Sequence, residues 1–148
     1  MRIVIQRVTH ASVTVDEKTI GKIGKGFLIF LGVSDTDDEQ IAERFAEKIS
    51  KLRIFDDEDG KTNLSIKDVG GEVLVVSQFT LYADCRKGNR PSFTNAGSPD
   101  KAEKLYEYFI SLMESKEIKT AHGSFGADMK VDILNDGPFT VILDSDLM

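Results

Sequence analysis

The residues of this chain that can do chemistry are few. It has one cysteine, Cys85, and two histidines, His10 and His122, far apart in the sequence. A serine, threonine or cysteine nucleophile needs a base within hydrogen-bond reach, and neither histidine stands in a motif that supplies one. Both read as surface or structural residues. Cys85 has basic neighbours of the kind that activate a thiol, but a lone thiol outside any motif is more often incidental. This set offers no metal-ligand spacing, so no metal is expected.

Three stretches carry more information. "SQFTLYAD", residues 77–84, follows "VLVV" and places Ser77, Gln78, Thr80 and Tyr82 just past an apolar core strand. Strand ends next to loops are common sites, and an amphipathic strand facing water fits the same residues. "NDGPFT", residues 135–140, breaks a strand-like run with a proline that lacks an amide hydrogen and a glycine that packs nothing. "CRKGNRP", residues 85–91, sets Arg86, Lys87 and Arg90 around a glycine, as a solvated turn or a phosphate contact.

These stretches must be positioned by one domain. At 148 residues and 16.4 kDa the chain can bury roughly two thirds of its unfolded surface. Hydrophobic residues at 41% and charged residues at 30% are the balance of a globular protein. The opening "MRIVIQRVTHASV" alternates polar and apolar residues, unlike a signal peptide, and no apolar run approaches membrane-spanning length. The expected location is the cytoplasm, with no membrane partner. A net charge of -6 and a pI near 4.9 argue against broad attachment to nucleic acid, though less against an enzyme that touches only the end of an RNA.

Periodicity supplies the elements. "RIVIQRV" and "ASVTVD" read as two short strands, and "GFLIFLGV" as a strand buried on both faces. Thr36 and Glu39 have capping-box spacing ahead of a helix that carries Ile41, Phe45, Ile49 and Leu52. The Asp-Gly pair in "FDDEDGKTNLS" signals a hairpin or an excursion. "GGEVLVVSQFTLYAD" reads as a strand, and Ser98 and Pro99 open a second helix that carries Leu105, Phe109, Leu112 and Met113. A short strand around Ile118, the loop "HGSFGAD" and two strands flanking "NDGPFT" complete the chain. The order predicts a single α+β domain over 1–148, a mostly antiparallel β-barrel-like sheet with two main helices packed on it.

Taken together, the motifs resemble the D-aminoacyl-tRNA deacylase (D-Tyr-tRNA deacylase) family. The likeness runs through "MRIVIQRVTHASVTVD", "KLRIFDDEDGKTNLSIKDVGGEVLVVSQFTLYADCRKGNRPSF" and "FGADMKVDILNDGPFTVILDS", and so covers nearly the whole chain in the same order. It implies a homodimer with active sites at the subunit interface. It also implies hydrolysis of the ester between a D-amino acid and the 3'-terminal adenosine of tRNA, a chiral proofreading step in translation that needs no cofactor. Activity on achiral glycyl-tRNA is an open extension.

By the same resemblance, the family's signature motifs fall on Ser77, Gln78, Phe79, Thr80 and Leu81 and on Gly137 and Pro138. The first set holds the reacting carbonyl. The Gly-Pro bond is cis in relatives, and the pair reaches into the other subunit's site, where its carbonyls face the substrate's amino group and exclude L-amino acids. Phe125 and Met129 match residues lining the adenine pocket, with core packing as the alternative for Met129. Arg7 matches an arginine that holds the Gly-Pro loop, with a surface ion pair as its alternative. Water assisted by the substrate's 2'-hydroxyl, or Thr80 as covalent nucleophile, are the two routes to hydrolysis. Relatives commonly read "GPVT" where this chain reads "GPFT", so Phe139 is a departure whose direction, into the site or the core, decides its effect. A non-enzymatic dimeric β-module binding nucleic acid or protein through "CRKGNRP" is the rival reading.

Overall fold

The computed structural model describes residues 1–148. In chain order, strands β1 (Arg2–Val15), β2 (Lys18–Ile23) and β3 (Gly26–Gly32) precede helix α1 (Glu39–Lys51). Strands β4 (Arg53–Asp56), β5 (Thr62–Ser65) and β6 (Glu72–Ser77) lead to helix α2 (Pro99–Ser115), and β7 (Thr120–His122) and β8 (Lys130–Asp144) close the chain. Short 3-10 turns cover Phe79–Tyr82 and Ser145–Leu147.

β1 is the spine. Its first half pairs antiparallel with β3 and its second half with β2, while β8 runs antiparallel along its other edge. β3 then pairs with β6, and β6 with β7, both in parallel. The curl brings β7 back to β2 so closely that a Cβ on Gly21 would lie 2.7 Å from the His122 carbonyl oxygen. The result is a nearly closed mixed barrel with two helices, mostly antiparallel as the sequence indicates, plus the two parallel pairings.

The two strands expected at "RIVIQRV" and "ASVTVD" are one. Thr9 and His10 are exposed and polar, which reads as a gap, but His10 pairs with Leu134 of β8 and the ladder continues. β8 is likewise one strand where two were expected. Residues 136–139 bulge out opposite Arg7, between the pairs Gln6–Thr140 and Val8–Asn135, and β1 spans the interruption.

Helix α1 starts at Glu39, so its cap is Asp38, whose carboxylate accepts from Ile41 N at 2.9 Å, not Thr36. Asp37 faces the other way, accepting from Ser34 N at 2.7 Å and from the buried Met1 ammonium. Helix α2 carries Pro99 in its first turn, while the Ser98 side chain makes no capping bond. The larger core lies between sheet and helices, where Ile3, Ile5, Phe27, Phe45, Phe55 and Phe109 are fully or almost fully buried. The smaller one fills the barrel with Val8, Val13, Leu28 and Leu74. The Asp-Gly signal is a β4–β5 hairpin, closed by Asp57 N to Lys61 O at 2.8 Å, with Gly60 at φ +74°.

Candidate active site

Strand β6 stops where its partner stops. Leu31 pairs with Ser77 and β3 ends at Gly32, so the chain beyond has no ladder to join. Gln78 N still donates to Leu31 O at 2.8 Å, and the chain then turns over Gly32 into the 3-10 turn, with Leu81 N to Gln78 O at 3.2 Å and Ala83 N to Thr80 O at 3.1 Å. "SQFTLYAD" is therefore a strand end and a helical turn, not a strand throughout. Packing enforces the turn: a Cβ on Gly32 would lie 3.0 Å from Gln78 O and 3.1 Å from Leu81 Cβ. The Gln78 amide donates to Thr80 Oγ1.

Beside the turn lies a cavity of about 600 Å³. Ser77, Gln78 and Phe79 form one wall, and Phe125 and Met129, from the loop after β7, stand among its other lining residues. Phe79 is 56% exposed and meets Phe93 edge-on, with centroids 5.1 Å apart and planes at 69°. Tyr106, from α2, tilts against Phe125 at 5.8 Å and donates to the carbonyls of Val75 at 3.1 Å and Gly123 at 3.4 Å. Burial pushes its phenol up to about 12. Met129 packs against the smaller core, and its sulfur lies 2.6 Å from where a Cβ on Gly123 would sit, so a side chain there would push the flexible thioether aside. An apolar chamber with one polar wall suits an aromatic base and an ester.

Of the sequence-predicted residues, Ser77, Gln78, Phe79, Phe125 and Met129 therefore share one cavity. Thr80 is exposed and its side chain is not part of the lining; its hydroxyl accepts from the Gln78 amide. Neither histidine lines the cavity; His122 Nδ1 is 2.7 Å from the Gly123 carbonyl, and His10 is an exposed strand residue. Sequence reasoning missed Phe93 and Tyr106. The signal for Tyr106 was its place on the apolar face of α2; for Phe93, an aromatic directly after the basic loop, nothing local marked it.

Gly137 and Pro138 lie elsewhere in the same chain, in the β8 bulge, and do not line the cavity. Their peptide bond is cis. The bulge is clamped from both sides. Asn135 accepts from Phe139 N at 2.8 Å and donates to Phe139 O at 3.2 Å. Arg7, 8% exposed, donates Nε to Asp136 O at 2.9 Å and Nη1 to Ile54 O at 2.9 Å. Its guanidinium lies 4.7 Å from the Phe139 ring centroid, and that ring packs against the larger core. Arg7 is thus not a surface ion-pair residue, and Phe139 faces the core rather than the cavity.

Residues 4–144 match the family described as D-Tyr-tRNA(Tyr) deacylase. A D-aminoacyl-tRNA deacylase of Thermotoga petrophila is 58% identical over 145 residues, covering 98% of this chain and 97% of that one. One of Lactobacillus helveticus is 54% identical over 144 residues, covering 97% and 99%. Among solved structures, one named c-Myc DNA Unwinding Element Binding Protein has a TM-score of 0.92 at 43% identity, covering 98% of this chain and 99% of that one. A probable eukaryotic D-amino acid tRNA deacylase has a TM-score of 0.82 at 18% identity, covering 96% and 97%, a likeness of fold alone.

Proposed function

The chain belongs to the D-Tyr-tRNA(Tyr) deacylase family, and from that premise we propose that it hydrolyses the ester of D-aminoacyl-tRNA, releasing a free D-amino acid and tRNA as chiral proofreading. The observation that carries this reading is the single cavity walled by Ser77, Gln78 and Phe79 and containing Phe125 and Met129. The terminal adenine stacks on Phe125 beside the Met129 thioether, and the ester carbonyl points at the turn.

The first residues of a helical turn leave their amides without a partner inside it. The N–H groups of Phe79 and Thr80 take the oxyanion that forms when water adds to the carbonyl carbon. The C–O bond to the ribose then breaks and the 3'-oxygen leaves with a proton. The substrate's 2'-hydroxyl assists the water, because no histidine stands at the cavity and the Thr80 hydroxyl already accepts from Gln78. On this route Thr80→Ala should retain activity, and mass spectrometry of trapped protein should find no adduct on Thr80; an adduct there would restore the covalent alternative.

Gly137 and Pro138 enter this picture from a second copy of the chain. Their place outside their own cavity supports that reading, and so does β8, which leaves Ile142 66% and Leu134 48% exposed. The partner's carbonyls accept from the substrate's ammonium and leave no room for an L side chain. Glycyl-tRNA, which has no side chain to exclude, is also cleaved, and the homodimer works in the cytoplasm. The deciding experiment incubates D-Tyr-tRNA and L-Tyr-tRNA with the metal-free protein: the first is hydrolysed and the second survives. Equal hydrolysis of both removes the proofreading reading, and sedimentation as a monomer removes the cross-subunit gate.

One observation favours a second reading, a nucleic-acid-binding module: the relative at 43% identity is named for binding a DNA element. On that reading, replacing Arg86, Lys87 and Arg90 abolishes binding while altering Gly137 or Pro138 changes nothing measurable.

A further inference from the structure

The loop between Asp84 and Ser92 is closed at its base by a backbone pair, Asp84 N to Ser92 O at 2.7 Å and Ser92 N to Asp84 O at 2.9 Å. At its tip Gly88 has φ +66° and open space around it. Arg86, Lys87 and Arg90 are all exposed on this loop, in a chain of net charge -6. Arg86 is held on Asp84, its Nε and Nη2 at 2.9 and 2.6 Å, and this guanidinium holds the Asp84 carboxyl down at about 2. Lys87 and Arg90 are in no ion pair.

A solvated turn explains the exposure of these cations but not their location. The residue directly after the loop base is Phe93, which stands edge-on to Phe79 at the rim of the apolar cavity. Against the other side of the loop lies a second, polar cleft of about 650 Å³, lined among others by Arg86, Ser34, Thr36, Tyr82 and Asn95. The two cavities share walls. The 3-10 turn presents Phe79 to one and Tyr82 to the other, and the segment after the loop presents Phe93 and Ala96 to the first and Thr94 and Asn95 to the second.

We propose that this loop and the polar cleft form the track of the RNA strand leading to the terminal adenosine, with its phosphodiesters on Lys87, Arg90 and the outer side of Arg86. The inference rests on the deacylase reading and adds the part of the substrate that lies outside the apolar cavity. The cleft also holds Asp35, Asp84 and Asp146, which repel phosphate. Phosphates are therefore kept on the loop, and the cleft is left to sugar hydroxyls and to base edges, whose exocyclic amino groups donate well to carboxylates. A short basic track reconciles RNA binding with an acidic protein, because only the strand end is held.

The test compares two substrates, D-tyrosyl-tRNA and the D-tyrosyl ester of adenosine alone, with the double variant Lys87→Gln/Arg90→Gln, which leaves the Arg86–Asp84 pair in place. The expected result is a kcat/KM on the tRNA lowered about tenfold at low salt, with a log–log salt dependence shallower by about 1.4, since each single-strand phosphate contact contributes about 0.7. Hydrolysis of the adenosine ester stays within about twofold of the parent. Equal losses on both substrates, or no loss on the tRNA, overturn the track. Failure of the unaltered protein to cleave either substrate overturns the deacylase reading itself, and the track with it.

Discussion

Arg7 Nε donates to the carbonyl oxygen of Asp136 at 2.9 Å, so a cation in the middle of β1 holds the peptide that leads into Gly137 and Pro138. The same guanidinium bonds Ile54 O at 2.9 Å, tying the bulge to the β4–β5 hairpin. The carboxylates of Asp56 and Asp136, each about half exposed, stand 3.7 Å away and add little beyond charge balance.

Arg7→Ala should therefore cost about 2 to 3 kcal/mol of stability, the range for losing buried bonds from a charged donor. It should also loosen the bulge, so that L-Tyr-tRNA hydrolysis rises relative to D-Tyr-tRNA. Urea unfolding and the paired assay check both. A stable variant with unchanged selectivity would show that Arg7 does not position the bulge.

Phe139→Val restores the residue common in the resembled family, and its effect should be on packing alone. The ring lies between the Arg7 guanidinium and the larger core, away from the cavity. Removing it from this half-buried place should cost about 1 to 2 kcal/mol. The preference for D over L substrate should not move. A changed amino-acid preference would place the ring at the substrate after all.

Particular residues show what the sequence could carry. The apolar run of β3 and the Ser98-Pro99 start of α2 are local signals, and the structure follows both. Thr9 and His10 misled because exposed polar residues look like a break, whereas a strand with β8 along its edge tolerates them. The turn after Ser77 was hidden for a related reason: it depends on β3 ending at Gly32, a fact about another strand. Likewise, no spacing rule puts Phe125 and Met129 beside Phe79, since that requires β7 to pair in parallel with β6 and deliver the next loop to its end. Resemblance named those residues. Phe93 and Tyr106, which complete the chamber, came only from the folded chain.

All three tyrosines, Tyr82, Tyr106 and Tyr108, have phenols pushed up to about 12. Burial is the main cause for the first two, and the hydrogen bond to Glu43, 2.6 Å long, for Tyr108. A group whose folded pKa is raised contributes stability that is fully present below its unfolded value, near 10 for tyrosine, and is lost as pH rises through the folded one. Stability should thus hold to about pH 10 and fall between about 10 and 12. Phenolate absorbance in the native protein should develop near 12 and in the unfolded chain near 10. A native titration centred at 10 would contradict these environments.

Gly137 offers the sharpest separation of stability from catalysis. Its φ is +149°, and a Cβ there would lie 2.6 Å from Phe139 N and 3.0 Å from Phe139 Cβ, backbone and near-backbone atoms that Asn135 holds in place. Gly137→Ala must therefore re-aim the carbonyls of the bulge, and D-Tyr-tRNA hydrolysis should fall at least tenfold or admit the L substrate. Gly60→Ala is its control. That residue also has a positive φ, +74°, but nothing lies within 4 Å of the added carbon, and it sits in the β4–β5 turn. Backbone strain should cost each substitution about 1 to 2 kcal/mol, and the close contacts at Gly137 add to its cost. Only the first should alter catalysis or selectivity. If both variants keep full activity and selectivity, the carbonyls of residues 137 and 138 do not face the substrate, and the cross-subunit gate fails.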